Sequence, residues 1–572
     1  MILKVEDTAT GQATMTELKT SPWTLDVRSL AAFRILLGLY LLYDIYDRTS
    51  LGKYDLAWYT SDPPERSYLA AHDTPHKAPL HQFWFYRGSA QFITASFLVS
   101  GILSALFTIG LQCHAGVKTL LFIVQTAQHS RCMEVSDGSD AFCRQLLLWS
   151  IFLPMANVWS LDAMLSKKKS NHPVVVISGL ECLSLTLQLA LMYWGTVLNR
   201  TLDPLFDGTM GTFRQMTWSQ AWHAVLGRSN QWMGGLSAVH YALSGPFAAR
   251  EHFLTHLVRQ TAWVSQTLTA QAMMIETLAP LACLLFGDDR QWPALLLAML
   301  HFGLMMTFRI PNWQLVGMII QVLWIPSHVW DSWGFRLHAD TQDVMSDATY
   351  KKTDGDRENK QSVPLIDTTQ TTFRSRLAKF LHLFFLVHML YNWMLYRGVM
   401  PQLENGDIGQ GLRLSQHWVM FGKVAQRAHT LQLTGKILLP TPADANEKDG
   451  SKKNNANMTR LDLLHYIKTR GEDRPQDSPR FVPHDMTYRY PSPRWEKSLH
   501  DWSERGRTDE RAEHMCRALC TLVNEDRVRD HKQKIDFVEM RYQAVSILPP
   551  GSEKRYAKRQ PLFDDDVVQV KC

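Results

Sequence analysis

The stretch Arg144–Lys169, RQLLLWSIFLPMANVWSLDAMLSKKK, decides how the chain is read: an apolar run with aromatics, then Trp-Ser-Leu-Asp, then three lysines. About 18 to 20 mostly apolar residues suffice to cross the hydrocarbon of a bilayer. Lysines just beyond such a run stay on the cytoplasmic side. The stretch therefore predicts one crossing, kinked at Pro154, and its direction.

The totals conceal this. The 572 residues are 20% charged and their mean hydropathy is −0.17, values that average two unlike parts. Up to about Trp333 long apolar runs alternate with short polar loops; after about Gly398 the chain is rich in Lys, Arg, Asp, Glu and Pro. A net charge of +6 would suit nucleic acid, but the basic residues are interspersed with acids rather than gathered in a stripe, so no nucleic-acid partner is expected. The residues before Ser29 contain no signal-peptide core, so the first apolar run is expected to target the chain to the membrane. Eight cysteines are too few for a disulfide scaffold.

The pattern predicts a mainly α-helical, polytopic transmembrane bundle of about nine spans, followed by a small α+β extramembrane domain. The spans fall at Ser29–Tyr46, Ala90–Gly110, Val117–His129, the opening stretch, Val174–Leu198, Trp263–Phe286, Trp292–Phe308, Asn312–Trp330 and Phe380–Tyr396. The connection Asn199–Gln260, with Trp218 and Trp222, is amphipathic enough in places to lie in the membrane interface. The expected organisation is a cytoplasmic tail (1–28), a bundle (29–333), a cytoplasmic flexible loop (334–372), a last helix (373–397) and a lumenal or extracellular domain (398–572). The loops with Lys167–Lys169 and Lys351–Lys352 would then share the cytoplasmic side. Asn457 would be an accessible glycosylation acceptor in a eukaryote, where the membrane would be the endoplasmic reticulum; otherwise it is the plasma membrane. His429–Pro440 and Lys534–Leu548 read as strands and Asp509–Glu525 as a helix.

Soluble-enzyme motifs are absent: no phosphate-binding glycine loop, no HExxH, no paired CxxC, no nucleophile elbow. No metal site is expected. The chemistry-bearing set is intramembrane and polar: Arg34, Arg144, Glu181, Glu276 and His301. Such groups pair with one another or line a watery cavity. For Arg34 the plainer reading is a structural ion pair or a snorkelling side chain.

Several segments together resemble the HTTM family, which comprises vitamin K-dependent γ-glutamyl carboxylase and its bacterial relatives. They are DVRSLAAFRILLG (26–38) through Tyr43-Asp44, WSLDAML (159–165), ETLAP (276–280), LHFG (300–303), and, in the tail, LSQHWVMF (414–421) and PRWEK (493–497). The resemblance implies a membrane bundle topped by a lumenal domain, with reduced vitamin K or a related quinone as cofactor. In the carboxylases an amine base starts oxygenation of the hydroquinone to an epoxide. The strong base so formed takes a proton from a glutamate γ-carbon, which captures CO2.

Two departures argue against that reaction here. The family's base is one of two adjacent lysines; the matching segment is TVLNRTLD (196–203), which puts Asn199 and Arg200 in those places. Asn has no useful basicity and Arg stays protonated. The family's histidine precedes Trp-Ser-Val-Asp, and here Asn157 stands before Trp159. The expectation is a quinone- or lipid-binding cavity without carboxylase chemistry, with Arg34, Asn157, Arg200, Glu276 and His301 as pocket residues. The alternatives are an active carboxylase or epoxidase with shifted catalytic groups, and a non-enzymatic assembly factor holding a secreted protein client.

Overall fold

The Asp26 side chain accepts the Arg28 N–H and starts α1 (Val27–Thr49) after a short strand β1 (Thr24–Asp26). In a computed structural model the described residues are 24–60, 88–111, 115–132, 135–166, 176–202, 205–207, 212–245, 253–309, 311–335, 373–395, 414, 427–438, 458–475, 490–492, 494–495, 499, 510–552 and 567–572. After α1 come α2 (Lys53–Leu56), α3 (Ala90–Ile109), α4 (Ala115–Arg131), α5 (Gly138–Phe152), α6 (Leu161–Leu165), β2 (Val176–Ser178) and α7 (Leu180–Leu202). A two-strand ribbon, β3 (Phe206–Asp207) and β4 (Thr212–Phe213), leads to α8 (Trp218–Leu226), α9 (Ala238–Ser244), α10 (Phe253–Gln260) and α11 (Ala262–Leu285). Then come α12 (Gln291–Thr307), α13 (Pro311–Ile319), a 3-10 turn (Ile320–Trp324), α14 (Ser327–Ser332) and α15 (Phe373–Leu395).

Three helices, not about nine, are long and apolar enough to cross a membrane among the described residues: α1, α3 and α11, of 23, 20 and 24 residues. At about 1.5 Å per residue they reach roughly 30 to 36 Å, the thickness of a bilayer core. They match the first, second and sixth expected spans. The remaining expectations fail on length or polarity. α4 and α12 have 17 residues each, and α4 buries Lys118, Gln125, Gln128, His129 and Arg131. The opening stretch is no crossing: α5 stops at Phe152, Leu153 is extended, and Trp159 takes a left-handed φ of 51° before the five-residue α6. α7 is long enough but carries Glu181, Gln188 and Arg200. The eighth expected span is a nine-residue helix that tightens into the 3-10 turn, and the ninth is interrupted by His382, His388 and Asn392 of α15.

The three long helices run between the same two ends of the molecule. At one end Arg28 of α1 bonds Asp331 and the carbonyl of Phe335, and Arg290, beyond α11, bonds the carbonyl of Thr24. At the other end stand α2 and the start of α3. The outward faces are apolar: Leu98 and Ile102 on α3, Met274 and Leu278 on α11, Met299 and Phe302 on α12 are exposed. Contiguous apolar surface of this kind marks contact with lipid or protein. α8 exposes Trp218, Trp222 and Leu226, and α10 exposes Phe253, Leu254 and Leu257, as the amphipathic reading of that connection expects.

The tail forms a four-stranded antiparallel sheet in the order β6-β5-β7-β8, from β5 (Arg427–Leu438), β6 (Met458–Asp462), β7 (Phe537–Ser546) and β8 (Val567–Lys571), with α16 (Leu463–Thr469) and α17 (Glu510–Arg529). The expected strands and helix are present in β5, β7 and α17, but they do not pack as a compact domain with a core of its own. One apolar core holds Leu431, Leu433, Val538, Met515 and Leu519 together with Tyr54, Trp58 and Tyr59, just after α1, and Ile93 and Phe97 of α3. The tail thus completes its core on the bundle's own residues. A Cys520–Cys572 disulfide ties α17 to the end of β8. The Lys167–Lys169 and Lys351–Lys352 loops, Asn457 and almost all of the 334–372 segment lie outside the described residues.

Candidate functional site

The expected pocket residues divide into those that meet and those that do not. Arg200 and Glu276 meet: Arg200 Nη1 on α7 donates to Glu276 Oε2 on α11, both buried. The guanidinium lies 4.0 Å from the centroid of the Trp232 ring, a cation–π contact strengthened by exclusion of water. Seven positions earlier on α7, hence on the same face, Tyr193 bonds His301 of α12 at 2.7 Å. Three of the expected residues, Arg200, Glu276 and His301, therefore lie in one seam, along one face of α7 against α11 and α12.

The hydrogen-bond directions in this seam follow from one carbonyl. Gln321 Nε2 donates to Gly317 O at 2.8 Å and to Tyr193 Oη at 2.9 Å; the reversed amide would set two oxygens together, which assigns the orientation. Tyr193 must then give its own proton to His301 Nε2. The neutral imidazole carries its hydrogen on Nδ1, which donates to Gln314 Oε1 at 2.8 Å. Gly317 is part of this design, because a Cβ there would stand 2.3 Å from His301 Cε1. Two valences remain: Gln314 Nε2 and Gln321 Oε1 are buried with no hydrogen-bond partner among the described residues. A buried amide left so costs about 1–3 kcal/mol.

The other expected residues lie apart. Arg34 is fully buried, but its Nη1 donates to Met155 O at 2.9 Å and its Nη2 to Trp159 O. It braces the break after α5, a structural role. Asn157, in that break, is exposed. Asn199 is on α7 beside Arg200, about 100° further round the helix.

A second polar cluster was not expected as a unit. Asp44 and Arg48 of α1, Asp140 of α5 and Arg494 of the tail converge where tail meets bundle. Arg48 bonds Asp44 at 2.8 Å and Asp140 at 2.5 Å. Arg494 bonds Asp44, Asp47 at 3.0 Å, Asp140 at 3.1 Å and the Val135 carbonyl at 2.7 Å. Burial alone would raise the Asp140 carboxyl, yet Arg48 and Arg494 hold it well below its ordinary value. Burial alone would likewise depress Arg494, and Asp140 and Asp44 hold it well above. No local pattern links Asp44 and Arg494, since they stand 450 positions apart.

Asp44, Asp140 and His129 lie close enough to share a metal ion, but the protonation pattern opposes one. Arg144 Nη1 is 3.1 Å from His129 Nδ1, and arginine only donates. Nδ1 therefore accepts, and the proton sits on Nε2, directed at Asp44 and Asp140 from 3.8 and 3.9 Å. A protonated nitrogen is no ligand, and guanidinium ions already compensate both carboxylates.

Three apolar helices of membrane length, outward apolar faces and polar groups turned inward define the class: a partly helical, membrane-associated protein. No known family, no curated protein and no solved structure matches the chain.

Proposed function

We propose that this chain is an HTTM-type integral membrane protein that binds an amphipathic, carbonyl-bearing molecule, a quinone or an acyl ester, in the seam between α7, α11, α12 and α13, and that it does not carboxylate glutamate. The observation that carries the reading is the pair of buried, unpartnered amide groups of Gln314 and Gln321 beside the Tyr193–His301 bond. Gln314 Nε2 suits a ligand carbonyl; Gln321 Oε1 suits a hydroxyl, so the pair fits either oxidation state of a quinone. A bound quinone would supply redox chemistry; the residues here would orient its oxygens and keep the seam dry. Arg200, in the place of the family's base, is held by Glu276 and stacked on Trp232, which fits an anchor rather than a proton acceptor.

The Cys520–Cys572 disulfide supports a tail on the lumenal or extracellular side, because such bonds persist in oxidising compartments. The test is to give the purified full chain vitamin K hydroquinone, O2, labelled CO2 and a glutamate peptide. The expected result is saturable quinone binding with neither label nor epoxide. Labelled peptide would overturn the loss of carboxylation. Failure to bind quinone or acyl ester, with silent substitutions at Arg200 and Gln314, would overturn the seam and favour a factor that holds a secreted client.

A further inference from the structure

At the end of the bundle opposite the sheet, a cleft of about 410 Å³ opens between β1, the turn before α12, and α14. This volume is in the range of small-molecule sites. Its walls carry Asp26, Asp288, Arg290, Ser327, His328 and Asp331. Arg290 is 3% exposed; its Nη1 donates to Thr24 O at 2.6 Å, and its buried Nε–H has no hydrogen-bond partner among the described residues. Asp26 is closed off by Arg28, which bonds it through Nε at 3.0 Å and Nη2 at 2.8 Å. Arg28 also reaches Asp331 at 2.5 Å, but the Asp331 side chain stays 48% exposed, and Asp288 is exposed at the rim.

The charges restrict what fits. A simple anion entering the cleft would meet the carboxylates of Asp288 and Asp331, which line it together with Arg290. A simple cation would be drawn to those carboxylates and leave the buried N–H unmet, at the usual cost of an orphaned donor. A ligand with an anionic acceptor at one end and an ammonium at the other meets both. The facing wall adds the Ser327 hydroxyl and the His328 imidazole, which suit phosphoryl oxygens. Trp292, Trp333 and Phe335 are exposed around this end, the arrangement by which aromatic side chains mark the headgroup level of a bilayer.

We infer that this cleft binds a phosphate ester of an amino alcohol, with a phosphoryl oxygen on Arg290 Nε and the ammonium between Asp288 and Asp331. The chemistry is shared by a membrane lipid headgroup and by a small soluble ester, and it is independent of the seam, which lies on other elements.

The experiment titrates the purified full chain in detergent with glycerophosphoethanolamine, and separately with glycerophosphate and ethanolamine. The zwitterion should bind at least about tenfold more tightly than either single-charge fragment, the discrimination expected when one charge-assisted hydrogen bond is lost. Arg290→Lys keeps the charge and removes the Nε–H; Asp288→Asn removes a rim charge without touching the core. Each should weaken binding about tenfold or more with the thermal midpoint unchanged for Asp288→Asn. Fragments that bind as tightly as the zwitterion, or an unaltered affinity in both variants, would overturn the inference. In phosphatidylglycerol nanodiscs with and without phosphatidylethanolamine, displacement of the soluble probe by the second lipid assigns the site to a headgroup. Undisturbed binding assigns it to the soluble ester. Both outcomes uphold the zwitterion site.

Discussion

Replacing Arg494 with Ala should detach the tail from the bundle. The guanidinium bonds Asp44, Asp47, Asp140 and the Val135 carbonyl, all from a side chain that is 5% exposed. Without it, Asp44 and Asp140 share Arg48 as their remaining direct guanidinium partner, and the excess negative charge stays buried. Removing one partner of a buried pair costs about 3–5 kcal/mol. Spread over 572 residues this would shift a global thermal midpoint by only about 3 to 4 °C, so a local probe is the better assay. Amide hydrogen exchange in β7 and α17 reports opening of the tail directly, and a loss of about 3–5 kcal/mol should speed it by roughly two to nearly four powers of ten. Arg494→Lys, which keeps the charge but loses the planar fork, should fall between. Exchange in Arg494→Ala within about threefold of wild type, well below 1 kcal/mol, would refute the assignment of Arg494 as the latch.

Gly317→Ala should push the His301 ring off Tyr193, since the new Cβ would stand 2.3–2.5 Å from three ring atoms; the overpacking cost is about 1–3 kcal/mol, and quinone affinity should fall with it. Breaking the Cys520–Cys572 bridge with Cys572→Ser should destabilise the tail by up to about 4 kcal/mol for a loop of this length, read as faster exchange in β8 with α1 unaffected. Asp55, buried and raised to about 6 despite bonds from the Leu51 N–H and Trp495 Nε1–H, binds its proton more tightly folded than unfolded. Its contribution is therefore fully present below about pH 4 and is lost as pH rises towards 6, a cost of up to about 3 kcal/mol above that. Unfolding curves of Asp55→Asn should lack this slope between pH 4 and 6; an identical slope would contradict the burial argument.

The helices that combine crossing length with an apolar outer face were legible in the sequence, and shorter or more polar ones were overcounted. α1, α3 and α11 have both the length and the apolar outer surface of a crossing. The Arg144–Leu148 run is just as apolar in places, but its Leu146, Leu147 and Leu148 pack into protein. A run of leucines does not say which apolar medium surrounds it, so hydropathy alone overcounts. Glu276 and His301 were legible as costly polar groups among apolar neighbours, whereas Arg200 was singled out only through the family resemblance; the Arg200–Glu276 pair follows the rule that such groups seek partners. Tyr193 was missed because tyrosine counts as apolar in such a run. Its seven-residue spacing from Arg200 was the available signal. Gln314 and Gln321 carried none, since their role comes from one carbonyl, Gly317, in a turn that tightens. The Asp44–Arg494 junction was illegible for a different reason: it pairs the first helix with the tail, and no local pattern carries that distance.

The central claim is that the seam holds a carbonyl on the Gln314 amide. Its most direct test is the infrared carbonyl stretch of a 13C-carbonyl quinone bound to the full chain, compared between wild type and Gln314→Leu. The account predicts a band shifted to lower frequency in wild type, as a hydrogen-bonded carbonyl requires, and relaxed towards the free value in the variant. A bound quinone whose band is the same in both proteins would contradict it.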